Sequence, residues 1–311
     1  MELYRDIEHV VRQPNACLTV GSFDGLHLGH QYVVQKLVER ATSEDSLSTL
    51  VTFEPHPKIV LGGGDDHDFR VLTTIEEKTD LLDSLGLGRL VVVPFTQDFA
   101  KTTAEQFIRD ILFERVGLKE IIVGYDHAFG RDREGNIETF RRLGAQLSFA
   151  VTELEEIRSK GDQVSSTRIR HLLHEGRVDE VKRGLGRRYS MTGTVVKGVA
   201  RGIVLGFPTA NLDVGDDKKL LPANGVYAVL VDLNGREYGG MMNIGVRPTF
   251  GRSQITAEVH IFNFDRRIYN RTLKVQFVQK IRDEQRFAGA SKLAAQLKLD
   301  KIRSDEILSN C

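Results

Sequence analysis

The stretch Val20-Gly21-Ser22-Phe23-Asp24-Gly25-Leu26-His27-Leu28-Gly29-His30 constrains this chain more than any other. An apolar run from Ala16 to Val20 leads into it. Residues 31–41 follow, with Val33, Val34, Leu37, Val38 and Ala41 at helical spacing. The pattern predicts a strand, a tight glycine-rich loop, and a helix over 31–41. A loop feeding a helix N-terminus offers unpaired backbone N–H groups and the positive end of the helix dipole, a setting that suits phosphate. Gly21, Gly25 and Gly29 let the backbone come close to a ligand. His27 and His30 lie three apart, with Gly29 leaving room between them. Two imidazoles so placed can donate hydrogen bonds to a phosphate whose charge grows during transfer.

A chain of 311 residues suits two domains with ordinary cores and no need of disulfides. Basic and acidic residues both number 43, so the formal charge is zero. That balance argues against general binding of nucleic acid or of an anionic membrane. The charged stretch 1–13 lacks a signal-peptide core, and no window is apolar enough to span a bilayer. Cys17 falls in an expected buried strand and Cys311 is terminal, so no disulfide framework is expected, and a reducing cytoplasm fits. The oligomeric state stays open.

In the first half, 48–53 reads as a strand ended by Glu54-Pro55-His56-Pro57, and 62–68 as a loop rich in glycine and aspartate. Thr73-x-x-Glu76 predicts a capping box opening a helix to about Leu85, and Thr103-x-x-Gln106 a second, ending near Val116-Gly117. Further strands are expected over 90–93, 120–124 and 146–151. This alternation predicts a parallel sheet with helices on both faces, its ligands beyond the C-terminal strand ends. Loop 21–30 falls at that edge, as does Gly124-Tyr125-Asp126-His127-Ala128-Phe129-Gly130-Arg131. Asp126 there can bond a ribose or an ATP group, or serve as a turn residue. Val164-Ser165-Ser166-Thr167-Arg168 predicts a capped helix to about His174, stopped by Gly176. Its start offers more N–H donors, and Arg168 adds a cationic fork for phosphate oxygens.

The pattern changes after Gly184, and Gly186-Arg187-Arg188-Tyr189 reads as a linker. Short β-type runs follow at 189–196, 226–233, 236–243, 255–262 and 273–281, with Asn234-Gly235 as a type I′ hairpin signal. They predict an antiparallel barrel. Residues 289–308, with Leu293, Leu297, Ile302 and Ile307, read as helices packed on it.

The loop at Gly21–His30 resembles the HxGH signature of the nucleotidylyltransferase superfamily. Its longer form resembles that of the bacterial bifunctional riboflavin kinases/FAD synthetases. Further stretches match that family in order. In the first half they are the loop ending Phe129-Gly130-Arg131 and Ser165-Ser166-Thr167-x-Ile169-Arg170. In the second half Gly193-x-Val195-x-Lys197-Gly198 precedes Leu205-Gly206-Phe207-Pro208-Thr209-Ala210-Asn211, and Asn224-Gly225-Val226-Tyr227 follows. Then Met242-Asn243-Ile244-Gly245-x-Arg247-Pro248-Thr249-Phe250 leads to Glu258-Val259-His260, and Arg282-Asp283-Glu284-Gln285-Arg286-Phe287 is last. The sequence departs from the family at Lys197 (commonly histidine), Ile203 (commonly arginine) and Asn270 (commonly glycine).

The resemblance implies a Rossmann-like nucleotidylyltransferase-type α/β domain with a parallel sheet over 1–184, the FMN adenylyltransferase. It implies an antiparallel β-barrel riboflavin kinase with a C-terminal helix over 185–311. Riboflavin and ATP would give FMN, and FMN and ATP would give FAD and pyrophosphate, both with Mg²⁺. By resemblance His27 and His30 contact the transferring phosphate, Arg168 the departing pyrophosphate, and Glu258 is the kinase base. Gly21, Ser22, Phe23, Asp24, Gly29, Asp126, Ser165, Ser166 and Thr167 would bind nucleotide in the first domain. Gly193, Lys197, Gly198, Gly206, Pro208, Thr209 and Asn211 would do so in the second, Thr209 and Asn211 also meeting the metal. Arg282 and Phe287 would meet the flavin.

Read without the resemblance, Thr209 and Asn211 equally satisfy a turn after Pro208, and Glu258, sharing a strand face with His260, can simply face solvent. Three rivals are weighed. A class I aminoacyl-tRNA synthetase would need a Lys-Met-Ser-Lys-Ser loop, which is absent. A non-catalytic flavin or nucleotide sensor would have lost His27, His30, Thr209, Asn211 or Glu258, and all five are present. A chain with one degenerate domain would have lost the kinase, since the barrel carries the departures.

Overall fold

Short apolar runs, buried on both faces in the four inner strands, build a parallel sheet in the first part of the chain. Its strands are β1 (Glu2–Tyr4), β2 (Ala16–Val20), β3 (Ser48–Glu54), β4 (Arg89–Pro94), β5 (Leu118–Gly124) and β6 (Ala150–Leu154), in the order β1-β4-β3-β2-β5-β6. In this computed structural model residues 1–166 and 167–311 form two separate units. The structure describes all residues except 63–68, 125–129, 132–133, 156–157, 160–161, 199–200, 216–217 and 250–251. For 158–159, 162–163, 201, 247–249 and 252–255 it describes the backbone alone.

Helices cover both faces of the sheet, because each strand turns alternate residues to opposite sides. Cys17, Leu50, Leu90 and Val92 pack against α1 (Leu28–Ser43) and α3 (Ile75–Ser84). Between these helices lies the short α2 (Pro57–Leu61). Leu18, Val20, Val51, Val91 and Val123 pack on the other side against α4 and α5. The first of these, α4 (Ala104–Gln106), runs on as π-helical turns over Phe107–Val116, and α5 spans Ile137–Leu147. The strand order reverses direction at β2, so the edge beyond β2 and β5 is the expected ligand crevice.

Several expectations shift. The first helix begins at Leu28, not Gln31, because the His27 side chain caps it. The capping box is Thr74 with Glu77, one residue later than Thr73 with Glu76; Thr73 is instead committed to Asp24 and Gly25. Gln146 and Leu147 end α5 rather than begin a strand, and Ser148 turns the chain at φ +62 into β6. The 62–68 loop lies outside the described residues from 63 on, as do Asp126 and the rest of 125–129.

In the second unit, after the two-stranded β7 (Arg158–Ser159) and β8 (Asp162–Gln163) of the first, come α6 (Ser166–His174) and α7 (Val178–Leu185). A closed antiparallel barrel follows, in the order β10-β13-β12-β11-β14-β9. It comprises β9 (Ser190–Val196), β10 (Ala210–Asp213), β11 (Gly225–Leu233), β12 (Arg236–Thr249), β13 (Arg252–Ile261) and β14 (Thr272–Arg282), with the short α8 (Arg201–Val204) before β10. Both α7 and β10 went unread in the sequence. Asn234 and Gly235, both at positive φ, form the expected hairpin turn. Interior residues Val195, Met242, Val259, Val229, Val275 and Phe277 are fully or almost fully buried.

The tail is one helix, α9 (Ala290–Ser309), and its inner face differs from the apolar reading. Ile302 is 57% exposed, whereas Asp300 and Ser304 are buried. Asp300 can be inside because Arg282 of β14 grips it with three contacts of 2.8–3.1 Å.

Candidate active sites

The first site is the loop between β2 and α1. His27 caps α1, its Nδ1 accepting the backbone N–H of His30 at 3.3 Å. A neutral His27 therefore carries its proton on Nε2. The two imidazoles stack with centroids 3.6 Å apart and an interplanar angle of 18°. Gly29 suits this approach, since a Cβ there would lie 3.2 Å from the His27 ring and press it aside by a few tenths of an ångström. Nδ1 of His30 is buried and has no hydrogen-bond partner among the described residues. Burial, and next the neighbouring His27 and Lys78, hold His30 well below the ordinary histidine range, so it is neutral near pH 7.

The loop itself is held from behind. Phe23 and Leu26 adopt left-handed backbone angles, φ +45 and +41, which ordinarily cost about 1–2 kcal/mol each. Both side chains are buried in the core under α1, which offsets that strain. The Asp24 carboxylate is buried and accepts the N–H groups of Leu72 and Thr73 at 2.9–3.2 Å. Ser166 Oγ donates to the Asp24 carbonyl at 2.9 Å, which brings Ser165 and Ser166 to the same loop. Gly21 N–H bonds to Val51 O. Thr167 and Arg168 are exposed in the first turn of α6.

At the end of β3 and just beyond β4, Phe53, Phe95 and Phe99 form a triangle of rings with centroids 5.6–6.0 Å apart. Lys78, buried beneath the loop, is a second feature that motif reading missed. Its signal was there: it falls with Ile75 and Leu82 on the apolar stripe of α3.

The second site lies on the barrel. Register sets Asn211 of β10 and Asn243 of β12 opposite Glu258 of β13, one on each side. Directly opposed residues share a face, so the three form a row. Thr209 Oγ1 donates to Glu258 Oε2 at 3.3 Å. Gly198 packs on the Asn211 amide so closely that any Cβ would overlap it. Gly245 leaves the space that the Glu284 carboxylate takes beside Asn243. His260, two residues beyond Glu258, bonds through Nδ1 to Pro208 O at 2.7 Å and thereby holds the Phe207–Thr209 turn. Burial pushes its pKa down.

A cavity of about 470 Å³ adjoins this row, lined in part by Gly198, Pro208, Thr209, Asn211, Arg266 and Arg267. Ile203 lines it too, at the position where the resembled family carries arginine. The two arginines of the 264–269 loop were not singled out in the sequence. Gly193 is buried within β9; neither it nor Lys197 nor Gly206 is among the lining residues. Arg282 faces Asp300 and lies 5.6 Å from the centroid of the Phe287 ring.

The sequence model of the FAD synthetase family matches residues 10–168, and that of the riboflavin kinase family matches 185–308. The bifunctional riboflavin kinase/FMN adenylyltransferase of Escherichia coli is 34% identical, over 98% of this chain and 97% of its own. That of Listeria monocytogenes is 35% identical, over 92% and 90%. The crystal structure of a macrolide-efflux protein from Streptococcus pneumoniae matches with a TM-score of 0.87 at 30% identity, covering 97% of this chain and 98% of that one.

Proposed function

The chain belongs to the bifunctional riboflavin kinase/FMN adenylyltransferase family and carries both activities, and we propose that they divide between 1–184 and 185–311 with the following residues in charge. In the adenylyl transfer an FMN phosphate oxygen attacks the α-phosphorus of ATP, the bond to the β-phosphate breaks, and pyrophosphate leaves. His27 donates its Nε2–H to the transferring phosphate, while the buried edge of His30 becomes hydrogen-bonded only when that phosphate is present. Ser165, Ser166, Thr167 and Arg168 take the pyrophosphate, using the start of α6. Catalysis here is positioning and charge stabilisation, with no covalent enzyme intermediate. The ring triangle of Phe53, Phe95 and Phe99 supplies aromatic surface for the flavin ring system.

In the kinase, Glu258 takes the proton of riboflavin's terminal ribityl hydroxyl as that oxygen attacks the γ-phosphorus of ATP, the bond from that phosphorus to the β,γ-bridging oxygen breaks, and ADP leaves. The observation that supports this reading is the Thr209–Glu258 contact inside the Asn211–Glu258–Asn243 row. The hydroxyl of Thr209 and the amide oxygen of Asn211 are hard donors of the kind that Mg²⁺ accepts, so the residues present fit that ion. When bound with ATP it neutralises phosphate oxygens. Arg266 and Arg267 add positive charge along the cavity that would receive the phosphates. The free cysteines, Cys17 and Cys311, support a reducing, cytoplasmic setting. Among the described residues no helix is long and apolar enough to cross a membrane.

One pair of assays tests the division. FMN formation from riboflavin and FAD formation from supplied FMN are measured separately with ATP and Mg²⁺. His27→Ala/His30→Ala should lower only FAD formation, by roughly 10²-fold or more, as loss of an oxyanion donor does elsewhere. Normal FAD synthesis in that double variant would remove both histidines from the reaction.

A further inference from the structure

Lys78 of α3 is only 4% exposed, and no carboxylate is hydrogen-bonded to it among the described residues. Burying an ammonium is costly unless its hydrogens are placed. Here Nζ donates to the carbonyl oxygen of Ser22 at 2.7 Å and to Thr52 Oγ1 at 3.3 Å, and Thr52 Oγ1 in turn donates to Ser22 O at 3.2 Å. The three groups close a small ring beneath the loop. Ser22 immediately precedes Phe23, the first left-handed residue of that loop, and His27 and His30 lie at its other end. The same segment of chain grips the loop a second time, where Leu72 and Thr73 donate to Asp24 and Gly25 N–H donates to Thr73 Oγ1. A charge buried against one loop carbonyl thus spends its desolvation cost on fixing where the loop begins.

We propose that Lys78 is a positioning residue of the adenylyl-transfer site, tying the Ser22 carbonyl to Thr52 so that the loop delivers His27 and His30 to the transferring phosphate. The inference rests on the reading of those histidines given above. Lys78 does not reach the phosphate itself; it acts through the loop. Its charge also acts on His30, and Asp24 of the loop and Glu54 of β3 are the anions whose charge acts on Lys78. Burial lowers the Lys78 pKa, and those two carboxylates work against that shift.

The test compares Lys78→Met and Thr52→Val with the wild-type full chain. Methionine fills the buried site without a charge, so lost packing is small, and valine is close to threonine in shape without the hydroxyl. FAD formation from supplied FMN should fall about tenfold or more in Lys78→Met, with kcat and kcat/KM for ATP falling together, since the loop geometry matters most in the transition state. FMN formation from riboflavin, made at the other site, should be unchanged. The NMR titration of His30 should move up toward the ordinary histidine range, because a neighbouring cation is gone. Thr52→Val should lose FAD formation in the same direction with a smaller effect, and it decides the matter if Lys78→Met does not fold.

Normal FAD formation in folded Lys78→Met, or in folded Thr52→Val, would overturn the proposal. So would a loss in Lys78→Met confined to KM for ATP with kcat unchanged, since a misplaced loop lowers the rate itself. Failure of the underlying reading is separately visible: there, His30→Ala itself would leave FAD formation intact.

Discussion

The hydroxyl of Thr209 meets the carboxylate of Glu258 at 3.3 Å, although 49 positions of sequence separate them. Two strands make this possible. Asn211 pairs with Glu258 across the β10–β13 ladder, so the turn before Asn211 must pass over the same face. His260 fixes that turn by bonding to Pro208 O. A residue that reads as a turn former and one that reads as a solvent-facing strand glutamate therefore share one site.

Glu258→Gln keeps the shape and the contact with Thr209 but removes the basicity. FMN formation from riboflavin should drop sharply, on the order of 10²-fold or more, at the scale of a lost general base. Riboflavin binding and FAD formation from supplied FMN should stay near normal. Near-normal kinase turnover would show that Glu258 is not the base.

Thr209→Ala with Asn211→Ala removes both hard oxygen donors from the row. The Mg²⁺ concentration needed for half-maximal FMN formation should rise, and ATP should bind more weakly in the presence of Mg²⁺. An unchanged Mg²⁺ titration would return both residues to the role of turn and strand residues after Pro208.

Stability should depend on pH through His30. Its folded pKa lies well below the ordinary 6.5, so the unfolded chain takes up a proton that the folded chain refuses. The stabilisation is complete above about pH 6.5 and is lost as the pH falls toward the folded pKa, at up to about 1.4 kcal/mol per pH unit. Urea midpoints measured between pH 7.5 and 5.5 should fall more steeply for the wild type than for His30→Gln. His260 has the same sign but is present in both proteins, so the difference isolates His30. Parallel curves would mean that His30 titrates normally.

Asp300→Asn leaves Arg282 without its anion at a site where Asp300 is 1% exposed. Breaking a buried pair in this way typically costs about 3–5 kcal/mol. Denaturant unfolding should report a loss of that order, and flavin affinity of the kinase should weaken if Arg282 and Phe287 serve the flavin. Wild-type stability would show that the pair contributes little net energy.

Much of this molecule was legible because its signals are local. The strand–loop–helix at Val20–His30, the capping residue Thr103 and the Asn234-Gly235 turn each depend on the preferences of adjacent residues. So does the pattern of strands that separates a parallel sheet from an antiparallel barrel. Motif order carried the family, and with it the pairing of two activities.

Pairing across distance was decided by the tertiary structure alone. Thr73 and Thr74 both begin a Thr-x-x-Glu pattern, and only the demand of Asp24 for the Thr73 N–H selects Thr74 as the cap. Ile302 fits an apolar stripe, yet Asp300 is the residue inside α9, because Arg282 of another element neutralises it there. Lys78 sat on an apolar stripe as an apparent blemish until the fold brought the Ser22 carbonyl within 2.7 Å. Local propensity is settled within a few residues of chain. The cost of burying a charge is settled by whatever the fold places beside it, and no window of sequence contains both partners.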